Sequence, residues 1–468
     1  MIPSISNLFG SEFNSFITAG AEYWSCGERK SFDKDVIEKS ILSHQPDANS
    51  QLHIYIHVPY CSQKCLFCAF SQANNKSIAS IPKYMSLLIR QLEIFLRMSN
   101  LYEYSITSIY IGGGSPDLLG SEINQLFKFL NELPGFDNDT ELTFEFSLLT
   151  ISDEVIKAVN ESRTTKVSFG IQTFDPKLRK YLNLPENIHL LLDNVLGKID
   201  GNIKVIDADL LTGLPGQSLE DSQIDLETIF RRYTRINSIS SYPMTNYASA
   251  ELMAKLIEGK IPYQAGQSEQ IEMRLKSIEN LNFRGWKRRG MLTFVNTHNF
   301  DAKAFLNLNG NEAFPTRNHR DACIGVGPGS FSYLPGLSIT STFDLQKWIS
   351  QAECNTLAFD YANSFVTDLL DLEFWGFPMR HEGILKSSIS NMIANKIIDD
   401  RQVETFYLLV QNGLISDQGE HFQLTETGLA LFANVSLALR RHRDQKEYLL
   451  HMKRANKYAL TRLNRGRK

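Results

Sequence analysis

Residues 53–70 read HIYIHVPYCSQKCLFCAF, and this stretch decides the fold. His53-Ile54-Tyr55-Ile56-His57-Val58 alternates loosely between apolar and polar residues and stops at Pro59, the pattern of a strand. Cys61, Cys65 and Cys68 follow on a short loop with CxxxCxxC spacing. Downstream, Ile81–Met98 carries apolar residues at helical spacing, and Ser108–Ile111 reads as a second strand running into Gly112-Gly113-Gly114. A helix over Ile123–Leu133 follows, then strands over Glu141–Phe146, Lys166–Phe169 and Val205–Leu211, with helices at Leu190–Ile199 and Leu219–Phe230. Strands alternating with helices of ten or so residues predict βαβ units around a parallel sheet. The fold class expected is therefore α/β, six such units forming a partial parallel (β/α)6 barrel over residues 51–330.

The cysteine loop carries the chemistry. Iron–sulfur clusters normally take four thiolates. Three on one tight loop would leave one iron of a 4Fe–4S cubane without a protein ligand. That iron could chelate the amino and carboxylate groups of S-adenosylmethionine (SAM), and an electron from the cluster could then cleave the sulfonium. Two plainer readings stand beside this one. Structural zinc wants a fourth ligand and usually CxxC pairs; His57 could be offered, but it should point along the sheet. The three thiols could also be inert and their spacing accidental.

Composition narrows the class. The chain has 468 residues, 43% hydrophobic and 21% charged, enough for a large core and for more than one structural unit. Six cysteines in a chain of this length are not a disulfide framework, and three of them within eight residues point to metal in a reducing compartment. Cys26, Cys323 and Cys354 read as ordinary thiols. The first sixteen residues lack a secretory signal pattern and no long apolar run suggests a membrane span, so a cytoplasmic location is expected. The net charge is −4, but Arg440–Lys468 holds eleven Lys or Arg against Asp444 and Glu447, about +9 in itself. Such a tail could bind an anionic surface; a solvated basic helix is the simpler reading, and no nucleic-acid partner is expected. Four segments result: an N-terminal extension 1–50, the catalytic core 51–330, a helix–hairpin–helix unit of winged-helix type at 331–435, and a basic tail 436–468.

The motifs, taken in order, resemble the oxygen-independent coproporphyrinogen III oxidase family of radical SAM proteins. The resemblance runs through the cysteine loop, GGGSP at Gly112–Pro116, the Glu145 strand, FGIQTFD at Phe169–Asp175, DADLLTGLPGQ at Asp207–Gln217 and GVGPGSFSYL at Gly325–Leu334. It implies that Cys61, Cys65 and Cys68 hold a 4Fe–4S cluster. It implies that Gly113, Gly114, Glu145, Gln172 and Asp209 line SAM, with one or two SAM molecules bound, and that Tyr55 approaches cluster and SAM as a catalytic residue. The residues make sense on their own: glycines after a strand admit a ligand close to the backbone and offer N–H groups. A carboxylate within an apolar strand, such as Asp209, must be paired or hydrogen-bonded. The resemblance further implies a small-molecule substrate and an electron donor such as flavodoxin or ferredoxin.

Three features depart from the family. Phe70 stands where the oxidase carries a further cysteine. The run Tyr181–Pro185 lacks the family's arginine, with Arg179 and Lys180 close but out of register. The first fifty residues match no substrate-covering arm. A tetrapyrrole is the first substrate expected. Methylation or cyclopropanation of another unsaturated substrate, and a haem-chaperone role without catalysis, are the rival expectations. Met244–Ser249 should lie by the mouth of the site, and Lys287, Arg288 and Arg289 are the cations available to hold substrate carboxylates.

Overall fold

The computed structural model describes residues 29–30, 34–45, 50–68, 81–244, 250–290, 292–299, 321–335, 337–364 and 383–440. Six strands follow the chain in order as parallel neighbours: β2 (Gln51–Val58), β3 (Ser105–Gly113), β4 (Glu141–Glu145), β5 (Lys166–Gln172), β6 (Val205–Thr212) and β7 (Ser238–Pro243). This is the expected winding. The sheet then continues past both ends. Beyond β7 lie the antiparallel strands β9 (Thr293–Asn296) and β8 (Trp286–Arg288). On the other side β10 (Ala322–Val326) pairs parallel with β2, and β11 (Phe331–Leu334), β12 (Leu337–Ser341), β13 (Phe359–Ser364) and the short β1 (Arg29–Lys30) add antiparallel strands.

Two sets of residues alternate along these strands. Ile54 and Ile56, Ile109 and Ile111, Leu142 and Phe144, and Val167 and Phe169 are all buried. They join the large apolar core to which the helices Ile81–Met98, Ile123–Asn131 and Asp153–Glu161 also contribute. The other set is polar: His53, Ser108, Glu141, Thr143, Lys166, Ser168, Asp207 and Ser240, all buried. A polar set facing away from the helices needs partners, and the sheet supplies them by curling. Arg289, next to β8, forms a buried ion pair with Glu141 at the start of β4. Five strand steps separate β4 from β8, about 24 Å in a flat sheet. The contact therefore requires the sheet to bend round into a barrel wall. Among the described residues the sheet order ends at β1 on one side and β8 on the other, the pattern of a partial barrel.

The boundary expected at 330 falls inside this sheet. Residues 331–364 read as the start of a second unit, but β11–β13 zip on to β10 by antiparallel pairing. A second core gathers residues from Ile384 onward, together with Ile271, Cys323 and Tyr333. There β14 (Ile384–Leu385), β15 (Ile415–Asp417) and β16 (His421–Leu424) form a three-stranded sheet beside the helices Lys386–Ala394 and Asp400–Gln411. Asp399 and Gln402 form a reciprocal capping box at the second helix. The helix–hairpin–helix grammar expected for this stretch is thus present in the later part of the range. Most of the N-terminal extension, Cys26, Phe70, Thr245–Ser249 and the tail beyond Arg440 lie outside the described residues.

Candidate functional site

The polar groups expected to carry the chemistry sit at the C-terminal ends of the parallel strands, where ligands of parallel α/β folds are received. Strand β2 ends at Val58 and feeds the cysteine loop directly. That loop is braced from two sides. On one, Gly114 N–H donates to the Val58 carbonyl at 2.7 Å and Ser115 N–H to that of Tyr60 at 2.6 Å. A Cβ on Gly114 would press into the Tyr60 carbonyl oxygen and come within 2.9 Å of Cys61 Sγ. Only glycine lets β3 approach this closely. On the other side Leu66 N–H donates to the Leu182 carbonyl at 3.1 Å, and Asn183 Nδ2 to that of Lys64 at 2.9 Å.

The three thiols are close enough to repel one another as thiolates. Burial pushes Cys61 up to about 11 and Cys65 up to about 12; Cys68 adds to both and Cys61 to Cys65, while Ser115 at 4.0 Å from Cys61 Sγ and Arg179 near Cys65 act in the opposite direction. Such thiols stay protonated until a cation replaces the protons. Among the described residues, no three His, Cys, Asp or Glu side chains gather round a single metal ion. A cubane takes each thiolate on a different iron, so its ligands need not converge on one point. This donor set, three thiols on one partly exposed loop, fits such a cluster.

Beside the loop lies a carboxylate pair. Glu145 closes β4, and its Oε2 accepts from Gly113 N–H at 3.2 Å. Burial pushes its carboxyl up to about 7, against hydrogen bonds from Gly113 and Tyr110 that favour the charge. Asp209, two positions above Asp207 on β6, is raised well above the carboxylate range by burial first, then by Asp207 and Glu145. Lys166 lowers it, but that ammonium is already committed, 2.7 Å from Asp207 Oδ2 and fully enclosed. Ser240 donates to the same oxygen at 3.0 Å and pairs with Thr293 at 2.9 Å. Three buried carboxyls thus share one lysine, so a ligand bringing hydroxyl donors and positive charge is favoured here.

Each expected site residue can be placed. Tyr55 is half-buried, its hydroxyl 2.9 Å from His57 Nδ1, beside Tyr110 and in the field of Glu145. Gln172 ends β5 in a left-handed backbone conformation, φ 68°, and its amide folds back over Gly170. One expectation needs correcting. The glycines were expected to offer N–H groups, but Gly113 donates to Glu145 and Gly114 to Val58. What the glycine run provides is close approach. Gly113, at φ 114°, has no room for a Cβ against His57. Two of the three cations expected at the mouth are engaged elsewhere, Arg289 by Glu141 inside the barrel and Arg288 by Glu426 of the second unit, while Lys287 is exposed on β8. Leu184, in the stretch lacking the arginine, packs with Leu66, Leu178, Leu182 and Met244 in an apolar cluster instead. Sequence reasoning missed Lys166, Asp207, Asp117 and the role of Arg179. Asp117 accepts from Ser147 N–H at 2.8 Å and Thr150 at 2.5 Å, holding the chain just past Glu145.

The radical SAM superfamily model matches residues 55–229. The chain is 22% identical to the oxygen-independent coproporphyrinogen III oxidase of Helicobacter pylori strain J99, over 91% of this chain and 95% of that protein. It is 32% identical to the heme chaperone HemW of Buchnera aphidicola from Schizaphis graminum over 179 residues, which span 38% of this chain and 46% of that protein. The structure of the Escherichia coli coproporphyrinogen III oxidase HemN superimposes with a TM-score of 0.73 at 18% identity, covering 91% of this chain and 98% of that one; it shares the fold. Residues 55–229 are thus of radical SAM type, within a fold shared with HemN. The relatives the chain resembles are the coproporphyrinogen III oxidases and the HemW chaperones, and the radical SAM match implies a 4Fe–4S cluster and SAM as cofactors. No helix among the described residues is long and apolar enough to cross a membrane.

Proposed function

We propose that this chain is a radical SAM enzyme that modifies a tetrapyrrole. Cys61, Cys65 and Cys68 hold the cluster, and Glu145 and Asp209 accept hydrogen bonds from the hydroxyls of SAM. Gly113 and Gly114 let the methionyl end lie close to the backbone, and Gln172 borders the pocket. A 4Fe–4S cluster held by the three thiols would supply the one electron needed for reductive cleavage of SAM. Tyr55, anchored by His57, would border the site. The observation that carries this reading is the convergence of the cysteine loop, the glycine run and the paired carboxyls at one end of the parallel strands. The cysteine loop borders an apolar cluster that includes Leu66, Leu211 and Met244, with Phe67 and Tyr242 packed against it, a wall suited to a flat hydrophobic ring. A one-electron donor of the flavodoxin or ferredoxin class, and a cytoplasmic setting, go with this chemistry.

Coproporphyrinogen III itself is not the expected substrate. Oxidative decarboxylation of two propionates calls for cations, best of all bidentate arginines, and Arg288 and Arg289 are bound to protein carboxylates. The test is anaerobic complementation of a strain lacking the oxygen-independent oxidase, alongside a panel of porphyrinogens and haem with SAM. Haem-type substrates should yield product with matching 5′-deoxyadenosine and little growth should return; robust growth would overturn this substrate assignment. The chaperone reading separates in the same assay, because a carrier would bind haem tightly while turning over little SAM.

A further inference from the structure

Among the described residues Arg179 is one of the largest side chains to be fully enclosed, 2% exposed, and no step of the proposed chemistry uses it. It sits on the short helix Pro176–Tyr181, which Asp175 caps by accepting from Leu178 N–H at 2.8 Å. Burying a guanidinium is costly unless its donors are satisfied. Here they point at main-chain carbonyls: Nη1 donates to Ile171 at 2.6 Å and Thr173 at 2.7 Å, and Nε to Pro185 at 2.5 Å. The first two carbonyls flank Gln172, whose left-handed backbone needs an external hold. The third closes the turn Leu182–Pro185. That turn carries the cysteine loop through Leu66 N–H to Leu182, Asn183 to Lys64, and Gln63 Nε2 to the Asn183 carbonyl at 2.7 Å.

One side chain therefore ties the end of β5 to the turn that braces the cysteine loop. Because its hydrogen bonds go to neutral carbonyls, its positive charge is not cancelled by a hydrogen-bonded carboxylate. The charged groups it feels are Asp225, itself hydrogen-bonded to Phe174 N–H and Thr173, and Cys65. The field of a buried charge is weakly screened, and the net charge around an iron–sulfur cluster is one of the levers on its potential.

We propose that Arg179 is a positioning residue for this site, clamping the Gln172 strand end to the cluster loop and placing a buried positive charge within electrostatic reach of Cys65 that favours the reduced cluster. The inference rests on the proposed cluster and SAM site. The electron comes from an external low-potential donor, resides on the cluster and leaves into the C5′–S bond of SAM, so Arg179 changes the ease of the first transfer without itself being oxidised or reduced.

The full chain, as wild type, Arg179→Lys and Arg179→Met, is reconstituted anaerobically and poised with dithionite, and the reduced cluster is counted by electron paramagnetic resonance. Arg179→Met should hold about tenfold less reduced cluster relative to oxidised at a given potential, ~59 mV for one electron. Arg179→Lys keeps the charge and should stay within about twofold of wild type. Both should bind SAM more weakly, because neither can span the three carbonyls. An unmoved midpoint in the methionine variant, or a lysine variant as displaced as methionine, would overturn the proposal. If the methionine variant takes up no iron, lysine decides: a wild-type midpoint supports the charge role, and failure to load iron there too reduces Arg179 to a folding residue. A wild-type chain that takes up no cluster would overturn the underlying function and this inference with it; a loaded wild type with unmoved variants overturns the inference alone.

Discussion

Glu145 joins stability to ligand binding through one proton. Burial pushes its carboxyl up to about 7, whereas an unfolded glutamate titrates near ~4.3. The folded chain therefore keeps a proton that the unfolded chain has released. This contribution to stability is complete below the unfolded value and is lost as pH rises through about 7, in all about 3–4 kcal/mol. Asp225, also pushed up to about 7 by burial, adds a second contribution of the same sign. Thermal unfolding followed between pH 5 and 8 should show stability falling with pH, and Glu145→Gln should flatten part of that slope while leaving cluster uptake intact. A slope unchanged by the substitution would place Glu145 in water. Glu145→Gln should also weaken SAM binding about 5- to 150-fold, the worth of one or two charge-assisted hydrogen bonds. Gly114→Ala meets a harder limit, since its methyl would enter the space of the Tyr60 carbonyl and crowd Cys61. Iron content after reconstitution should fall to a small fraction of wild type, with helix content by circular dichroism unchanged; full iron loading would mean that the loop can yield.

At the scale of elements, the sequence announced strands whose buried faces are apolar and hid those whose inward face is polar. Strand β2 was readable from the isoleucines alternating with histidine and tyrosine. Strand β7, SISSYP, was not: three serines look like a loop until Asp207 and Thr293 give Ser240 its partners. Strand β10 was concealed in the same way, because Gly325 and the glycines after it read as a turn. Yet Gly325 lies within the strand, where a Cβ would strike the backbone of Phe331. The cysteine loop and the Gly112–Gly114 run were visible because spacing within one element reveals them. The Lys166–Asp207 pair joins residues forty-one positions apart, and no local pattern marks it. Its energetics can be measured. Lys166→Met should cost about 3–5 kcal/mol, by leaving a buried carboxylate without its cation, and the double variant Lys166→Met/Asp207→Asn should recover part of the loss. Urea unfolding of the three chains provides the values. A single variant as stable as wild type would show that the pair is hydrated.

For the whole molecule, the winding of β2–β6 was predictable because helical periods alternated with strands. The continuation of the sheet through β11–β13 was not, since antiparallel strands of a second unit and of a sheet extension share one alternation. The curl of the sheet depends on Arg289 meeting Glu141 across the barrel. That meeting removes from the mouth a cation the sequence seemed to offer, and so it bears on substrate choice as well as on shape. The second unit docks on the same wall through Arg288 and Glu426. The central claim is that one end of this barrel binds a cluster and SAM through Cys61, Cys65 and Cys68, and the most direct measurement is 5′-deoxyadenosine released from SAM under dithionite by the anaerobically reconstituted chain. The account predicts release by a wild-type protein holding about four irons and none by Cys65→Ala. Release that persists when all three cysteines are alanine, or a fully loaded wild type that releases none, would contradict it.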